Sequence, residues 1–351
     1  MKKFKAIIFL SFVLYLISFF SCTKRIYNVV YPTLIDGKYD TEFPYRNCSQ
    51  QLKKIGETVK LINSMAYYKC FLFPNDSEIK VKDINNDLIK KRAVEEIFYH
   101  NSASGTATII LSDNSRISLL TCAHVVDFPD TVIKYYKEEG DKKNLFVQSV
   151  AFKERQVNYV TGLPEVGEID ILLLDQKLDI AVLGKKFTSV PEKIIPIFNY
   201  PLGNAKDLEW GSFVYLIGYP RGYKMITKGI VSNPNRDKNG AFMIDAPFNR
   251  GFSGGIVLAV KDGVPNFEIV GIAKSAAADY KYIIAPSEDF DFSEYEDHFP
   301  FNGDIYVQHL VTIQYGVTYI IPVESIKNLF KKNQKYFIRN GYNFSSFIGE
   351  S

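Results

Sequence analysis

Three short stretches of the sequence contain side chains that together could hydrolyse an amide bond. They are Thr121-Cys122-Ala123-His124, Leu178-Asp179-Ile180-Ala181-Val182-Leu183 and Gly251-Phe252-Ser253-Gly254-Gly255. Amide hydrolysis needs a nucleophile, a base that works near neutral pH and a group that orients the base. A serine hydroxyl, an imidazole and a carboxylate divide these tasks among them, which makes Ser253, His124 and Asp179 the candidate catalytic residues.

The glycines around Ser253 have a separate chemical use. Residues without a Cβ allow the tight turn that presents a serine hydroxyl. The same turn aims the backbone amides of Gly251 and Ser253 at the oxygen that becomes negatively charged during acyl transfer. We therefore predict an oxyanion hole formed by Gly251 and Ser253.

The three stretches resemble the hallmark motifs of the trypsin-like serine peptidases, T-A-A-H, D-I-A-L and G-[DN]-S-G-G, in that order. Here His124 and Asp179 are 55 residues apart, and Asp179 and Ser253 are 74 residues apart. The resemblance implies an all-β fold of two antiparallel six-stranded β-barrels. His124 and Asp179 would belong to the first barrel and Ser253 to the second, with the site in the cleft between them.

The segments that flank the motifs are similar to those of the bacterial HtrA/Deg group. The similar segments are Gly218-Tyr219-Pro220 with Gly222, Thr227 with Gly229-Ile230-Val231-Ser232, Asp245-Ala246 with Asn249, and Ile321-Pro322. The resemblance covers roughly residues 95–335. HtrA chains usually continue into a PDZ domain, but about 15 residues follow the last predicted helix here, so we expect no PDZ domain.

The sequence departs from the family pattern at three positions near the motifs. Phe252 replaces the usual Asp or Asn before the serine, which predicts different packing on the substrate side. Arg250 replaces a common proline and changes the charge beside the oxyanion loop. Cys122 replaces alanine, and we expect it to be a small buried core residue rather than a nucleophile.

The same residues fit other assignments less well. Gly251–Gly255 also fits the G-x-S-x-G turn of α/β-hydrolases, but that turn leads into a helix, whereas strand-like residues follow Ser253. Asp170 and Asp175 compete with Asp179, which is favoured by its D-I-A-V-L context. His100 and His309 lie in strand-like runs and are predicted to be structural, and no spacing of ligand residues predicts a metal site.

The specificity pocket is harder to predict. By resemblance its wall includes the strand after the serine turn, and Pro247, Ala273 and Lys274 are the candidate lining residues. Glutamyl-specific relatives have a histidine where Ala273 falls, so the prediction is a pocket for small or medium aliphatic side chains. The Lys274 ammonium could point into this pocket or away from it.

The N-terminus has the features of an export signal. Lys2, Lys3 and Lys5 precede an apolar run over residues 6–20, which is short for a membrane span. Ser21-Cys22 at its end resembles the lipobox of bacterial lipoproteins, which implies cleavage after residue 21 and lipidation of Cys22. We therefore expect a lipid-anchored or periplasmic protein of the bacterial cell envelope, with the outer membrane favoured because Thr23 rather than aspartate follows Cys22.

Residues 22–66 are predicted to form a tether and then a helix, in which Leu52, Ile55, Val59 and Ile62 recur at helical spacing after Ser49. Cys48 and Cys70 flank this helix. In an oxidising envelope they could form a disulfide, but the sequence does not supply their separation, and both states are left open.

Short runs rich in Ile, Val, Tyr and Phe alternate with turns after Tyr67, as expected of strands in a barrel or sandwich. We assign residues 67–195 to the first barrel and 196–340 to the second. The second barrel also includes an acidic insertion at 285–304 and an amphipathic helix that begins at Val323. The insertion is predicted to be a solvated surface loop.

The overall composition is that of a globular protein. The chain has 351 residues, 46% hydrophobic and 23% charged, and its net charge of +3 equals the three lysines of the export signal. The mature chain is thus neutral, and nucleic-acid binding is not expected. The sequence predicts a cofactor-independent serine endopeptidase that acts on polypeptides, its oligomeric state open. The alternative is a trypsin-fold binding module, or a latent protease, with an inactive cleft.

Overall fold

The computed structural model describes residues 35–349, except for 114, 137–145, 166, 288–289, 291–297, 299–300 and 302. The predicted signal peptide, Cys22 and the first part of the tether lie outside the described residues. Much of the acidic insertion at 285–304 does too. Within the described ranges, no helix is both long and apolar enough to cross a membrane.

The described residues form thirteen strands and four α-helices. The strands are β1 (Val59–Leu72), β2 (Glu95–Ser112), β3 (Arg116–Thr121), β4 (Thr131–Tyr135), β5 (Val147–Val160), β6 (Asp170–Asp175), β7 (Ile180–Lys186), β8 (Phe213–Gly218), β9 (Met225–Asn233), β10 (Phe242–Ile244), β11 (Ile256–Val260), β12 (Phe267–Ala285) and β13 (Tyr306–Pro322). The helices are α1 (Ser49–Thr58), α2 (Asn86–Arg92), α3 (Val323–Arg339) and α4 (Ser345–Ile348).

The strands make two antiparallel sheets, which confirms the predicted all-β fold. The second half closes into a six-stranded barrel in the order β10-β13-β12-β11-β8-β9. The first half differs in detail, because it is a seven-stranded curled sheet in the order β4-β5-β1-β2-β3-β7-β6.

Long strands explain this difference. β1 and β2 pair along the whole length of β1, from Val59 with Thr108 to Leu72 with Glu95. Only the segment of β2 from Gly105 to Ile110 is buried, while its first eight residues are mostly exposed. The buried segment packs in the common core, and the outer segment extends the β1–β2 pair, where β5 pairs with β1 and β4 pairs with β5.

The helix before the first sheet is shorter than predicted. α1 ends at Thr58, and Val59 and Ile62 belong to β1 instead, so the first sheet begins before the predicted boundary at residue 67. The three-residue spacing of Val59 and Ile62 fits a helix, whereas their β-branched side chains also suit a strand. Pairing with β2 decides in favour of the strand.

Cys48 and Cys70 are not joined by a disulfide in this structure. Both thiols are free and buried. The Cys48 sulfur lies 3.6 Å from the Tyr215 hydroxyl in the main core. Cys70 packs in a separate small cluster with Ala66 and Tyr68.

The C-terminal amphipathic helix is present as α3, and its apolar face packs on the core. Ile326, Leu329 and Phe330 are buried. Phe330 also contacts Phe344 and Phe347, whose chain folds back against α3. The predicted association of this helix with the body of the protein is therefore confirmed.

The end of the predicted tether is docked on the second barrel. The Tyr39 hydroxyl donates to Glu268 Oε2 at 2.7 Å and accepts the Asn204 amide at 2.8 Å. Asp40 exchanges backbone hydrogen bonds with Val260 and Phe213. Its buried carboxylate accepts the Gly263 amide at 3.1 Å.

We predict that Asp40 makes the stability of the protein depend on pH. Burial, together with the nearby carboxylates of Glu42 and Asp262, raises its pKa from 3.8 to about 6. The protonated form therefore favours folding, and its contribution is complete below about pH 4 and is lost as pH rises through 6. The unfolding free energy of the wild type minus that of Asp40→Asn should fall between pH 4 and pH 7. The exposed neighbour Asp36, changed to Asn, is the control, and a difference for Asp40 that is independent of pH would contradict the prediction.

Candidate active site

His124 lies just beyond the end of β3, in a short 3₁₀ turn formed by Ala123–Val125. β3 is buried almost throughout, and the residues on both sides of His124 stay buried while His124 itself is exposed. The Ala123 amide donates to the Asp179 carbonyl at 3.1 Å, which fixes the turn against the β6–β7 connection. The imidazole is about half exposed, as a base that must meet a substrate requires.

Asp179 is buried in the turn before β7 and faces His124. Its carboxylate oxygens lie 3.0 and 2.9 Å from His124 Nδ1, and Oδ1 also accepts the His124 backbone amide at 2.9 Å. The residue has φ +59°, in the left-handed region that aspartate tolerates better than most residues. This backbone conformation turns the carboxylate toward the histidine, and the two contacts orient the ring so that Nε2 is the nitrogen left for other partners.

Ser253 lies on a tight turn between β10 and β11 that only glycines at its flanks can form. Gly251 has φ +105° and Gly254 has φ +84°. A Cβ at Gly251 would collide with the carbonyl of Tyr219, and a Cβ at Gly254 would collide with the carbonyl of Thr106. These close approaches explain the glycines of the motif physically.

The Ser253 hydroxyl donates to the Lys274 carbonyl at 3.2 Å. Within the described residues, no hydrogen bond of 3.5 Å or less joins Ser253 to His124. The structure thus brings His124 and Asp179 into direct contact and places Ser253 on the facing barrel with its hydroxyl turned toward β12.

The predicted oxyanion amides are available for a ligand. Among the described groups, neither the Gly251 amide nor the Ser253 amide has an acceptor. The neighbouring carbonyls are engaged elsewhere, since Arg250 O accepts the Arg221 amide at 2.9 Å and Gly251 O accepts the Thr106 hydroxyl at 2.6 Å. No carbonyl of this turn therefore has to be displaced before the two amides can bind an oxyanion.

Thr106 is a site residue that sequence reasoning missed. Its hydroxyl donates to Gly251 O and accepts the Tyr219 amide at 2.9 Å. Its own amide donates to Ser253 O at 2.8 Å, and its carbonyl accepts the Thr121 hydroxyl at 2.7 Å. A threonine in the buried half of a strand is the signal that could have identified it, because a buried hydroxyl needs partners.

Two of the departures from the family pattern have clear positions. Phe252 is buried, and its ring packs near Phe248 and Gly218. The turn is therefore anchored by apolar packing in the core. Arg250 is exposed beside the turn.

Cys122 is fully buried, as predicted, and its sulfur donates to the Ala273 carbonyl at 3.3 Å. Ligand atoms of Cys122, His124 and Asp179 lie within 4.8 Å of one another, which is a separation that a metal ion could bridge. However, burial raises the pKa of the Cys122 thiol well above its usual value, and metals bind the thiolate. The cluster therefore fits a neutral thiol beside a His–Asp pair better than it fits a metal centre.

The residues predicted to line the specificity pocket fall in different places. Pro247 is exposed on the second barrel. The Ala273 side chain is fully buried and offers no surface to a ligand. Its amide donates to Gly255 O, and its carbonyl accepts the Gly254 amide. Lys274 points toward the His124–Asp179 pair, with Nζ 3.9 Å from Asp179 Oδ2.

The competing residues lie elsewhere. Asp175 accepts the Leu178 amide at 2.9 Å, and Asp170 lies on β6 beside Lys185 and Lys186. The His100 ring lies near that of Tyr67, and the His309 ring near that of Tyr282, both on exposed parts of long strands. The strand β11 directly after Ser253 also rules out the strand–turn–helix arrangement of an α/β-hydrolase.

A closed β-barrel packed against a curled antiparallel sheet, with a His–Asp pair opposite a serine on a glycine turn, is the arrangement of a trypsin-like peptidase. Residues 105–272 match the family model of the trypsin-like peptidase domain. This segment contains all three motifs, and the chain thus carries a trypsin-like peptidase domain.

Solved structures of two proteins are similar to the chain. Deg5 is 19% identical with a TM-score of 0.36, over 66% of this chain and 87% of Deg5. Kallikrein-related peptidase 10 is 11% identical with a TM-score of 0.34, over 66% of this chain and 90% of its own. Its complex with Zn²⁺ is 10% identical with a TM-score of 0.32 and the same coverage. A search of curated proteins finds no match.

We predict that the Thr106 hydroxyl stabilises the serine turn. Thr106→Val keeps the shape of the side chain but leaves Gly251 O and the Tyr219 amide without this partner. The expected loss of unfolding free energy is about 1–3 kcal/mol, measured by denaturant unfolding. Thr106→Ser retains the hydroxyl and should lose clearly less, so equal losses in the two variants would argue against the prediction.

Proposed function

We propose that the protein is a serine endopeptidase that uses Ser253, His124 and Asp179. The observation that carries the proposal is the close contact of Asp179 with His124 Nδ1, in a structure where the facing serine turn has two available amides. A base held by a buried carboxylate and an oxyanion site beside a serine are the requirements of acyl transfer to a hydroxyl.

The chemistry follows from this geometry. His124 Nε2 takes the Ser253 Oγ proton as Oγ forms a bond to the substrate carbonyl carbon, and Asp179 stabilises the resulting imidazolium. The Gly251 and Ser253 amides hold the carbonyl oxygen as it becomes negative. The imidazolium then gives its proton to the leaving amine, the C–N bond breaks, and water deacylates Ser253 by the same steps in reverse order.

One observation favours the second candidate, a latent protease or a binding module with an inactive cleft. The Ser253 hydroxyl donates to Lys274 O rather than to His124. The enzyme hypothesis requires the Ser253 hydroxyl to leave Lys274 O and to bond His124, and catalytic hydrogen bonds often form only when substrate is bound.

The enzyme hypothesis predicts covalent labelling of Ser253 by a fluorophosphonate probe. Ser253→Ala should abolish labelling and lower casein hydrolysis by about 10⁶-fold. Absence of labelling in a folded wild-type protein would instead favour the latent protease or binding module. Hydrolysis that survives unchanged in Ser253→Ala would refute the assignment of the nucleophile.

Asp179→Asn tests the role of the carboxylate. Asparagine also tolerates a positive φ, so the backbone of the turn should be retained while the charge is lost. We expect a fall in turnover of about 10⁴-fold with an unchanged unfolding midpoint. Asp175→Asn is the matched control and should have little effect on turnover.

We also propose that the mature protein is attached to the bacterial cell envelope by a lipid on Cys22, with the outer membrane favoured. Support comes from the basic and apolar residues that precede Ser21-Cys22. The expected result is incorporation of radiolabelled palmitate into the wild type and its loss in Cys22→Ser. An unlabelled wild-type protein would contradict lipidation and leave the peptidase assignment unaffected.

A further inference from the structure

A groove of about 390 Å³ opens beside the serine turn, between the β6–β7 connection and the second barrel. Lys177 and Leu178, the two residues before Asp179, form one wall. Arg236, Tyr319 and Lys274 contribute to the other side. Lys274 connects the groove to the proposed nucleophile, because it lines the groove and its carbonyl accepts the Ser253 hydroxyl.

A β-bulge explains why Lys274 contacts Ser253 and also lines the groove. The pairing of β12 with β13 shifts register between Ala273 and Ser275, which leaves Lys274 without a partner residue on β13. Bulges redirect side chains at such positions. The Lys274 carbonyl consequently faces Ser253 while its side chain extends toward Asp179 and the mouth of the groove.

The charges around the groove do not balance. Three cations (Lys177, Arg236 and Lys274) line it with a single acid, Asp237. The Asp237 carboxylate is committed to its own turn, where Oδ1 accepts the amides of Asn239 and Ala241 at 2.9 Å. Lys274 is shared with Asp179, whereas Lys177 and Arg236 form no ion pair within the described residues.

Arg236 is held in place without a carboxylate. Its guanidinium lies 5.1 Å from the centre of the Tyr319 ring, and its amide donates to Ala241 O at 2.7 Å. An arginine oriented by stacking keeps its donors available for a ligand carboxylate. The apolar lining residues Leu178, Ile320 and Pro322 suit the methylene stem of a glutamate.

We propose that this groove binds an acidic side chain of the substrate, so that the protein prefers polypeptides with a glutamate close to the scissile bond. The inference rests on the proposed peptidase function, because it is the serine that fixes where the polypeptide must lie. The groove shares Lys274 with the predicted aliphatic pocket but is not lined by Pro247 or Ala273, and the proposal is compatible with an uncharged residue at the bond itself. Lys177 and Arg236 are then determinants of specificity and take no part in the chemical step.

The test uses a library of internally quenched octapeptides and mass spectrometry of the products. For the peptides that are cleaved best, twins with glutamate or glutamine at each position near the bond are compared. Wild-type kcat/KM should be about tenfold higher for glutamate at one position, which corresponds to two half-exposed charge contacts. Lys177→Gln with Arg236→Gln should bring the ratio close to one, with the glutamine twin cleaved as before.

Lys238→Gln with Lys335→Gln is the matched control, since it removes two exposed lysines that do not line the groove. This variant should retain the preference. A wild-type kcat/KM ratio of glutamate to glutamine twin near one, or a preference lost equally in the control, would overturn the inference. Cleavage of the peptides would still support the peptidase function.

Labelling and binding measurements distinguish an incorrect groove proposal from an incorrect peptidase proposal. Fluorophosphonate labelling reports on Ser253 and should be equal in the wild type and the groove variant. If the wild type neither labels nor cleaves, the peptidase function fails. In that case, fluorescence anisotropy measures how tightly the Ser253→Ala variant binds fluorescent octapeptide twins, and this binding tests the groove. Tighter binding of the glutamate twins that is lost in the groove variant supports it, and equal binding of the twins rejects it.

Discussion

Hydrogen bonds between β2 and the serine turn connect the two halves of the site. His124 and Asp179 belong to the first sheet and Ser253 to the second barrel, so their relative position depends on how the halves dock. Thr106 donates its amide to Ser253 O and its hydroxyl to Gly251 O. Since Thr121, three residues before His124, also donates to Thr106 O, one strand holds His124 and Ser253 in a common frame.

The backbone of the site is placed in unfavourable conformations that the surrounding contacts maintain. Asp179 has a positive φ that glycine would adopt more readily, but glycine has no carboxylate to hold His124. Two hydrogen bonds to the His124 amide and ring compensate for this strain. The serine turn also needs positive φ angles, and it has glycines at 251 and 254, where the proposed chemistry needs no side chain.

The fold class, the closed second barrel and the contact of His124 with Asp179 were predictable because the three motifs resemble those of trypsin-like peptidases, which implies this arrangement. The extent of α1, the open first sheet and the partner of the Ser253 hydroxyl were not predictable in this way. Val59 and Ile62 fit a helix or a strand, and pairing with β2 decides between them. The inward packing of Phe252 and the contacts of Thr106 likewise depend on residues far away in the chain.

The surroundings of the site separate its apolar side from its charged side. Phe252 and the neutral Cys122 lie behind the serine turn and the His–Asp pair, in the buried core. The charges of Lys274, Lys177 and Arg236 lie on the groove side, where solvent and ligands enter. An apolar anchor does not titrate, so the serine turn keeps its shape without an ion pair. In the proposed peptidase, electrostatic selection is then left to side chains outside this anchor.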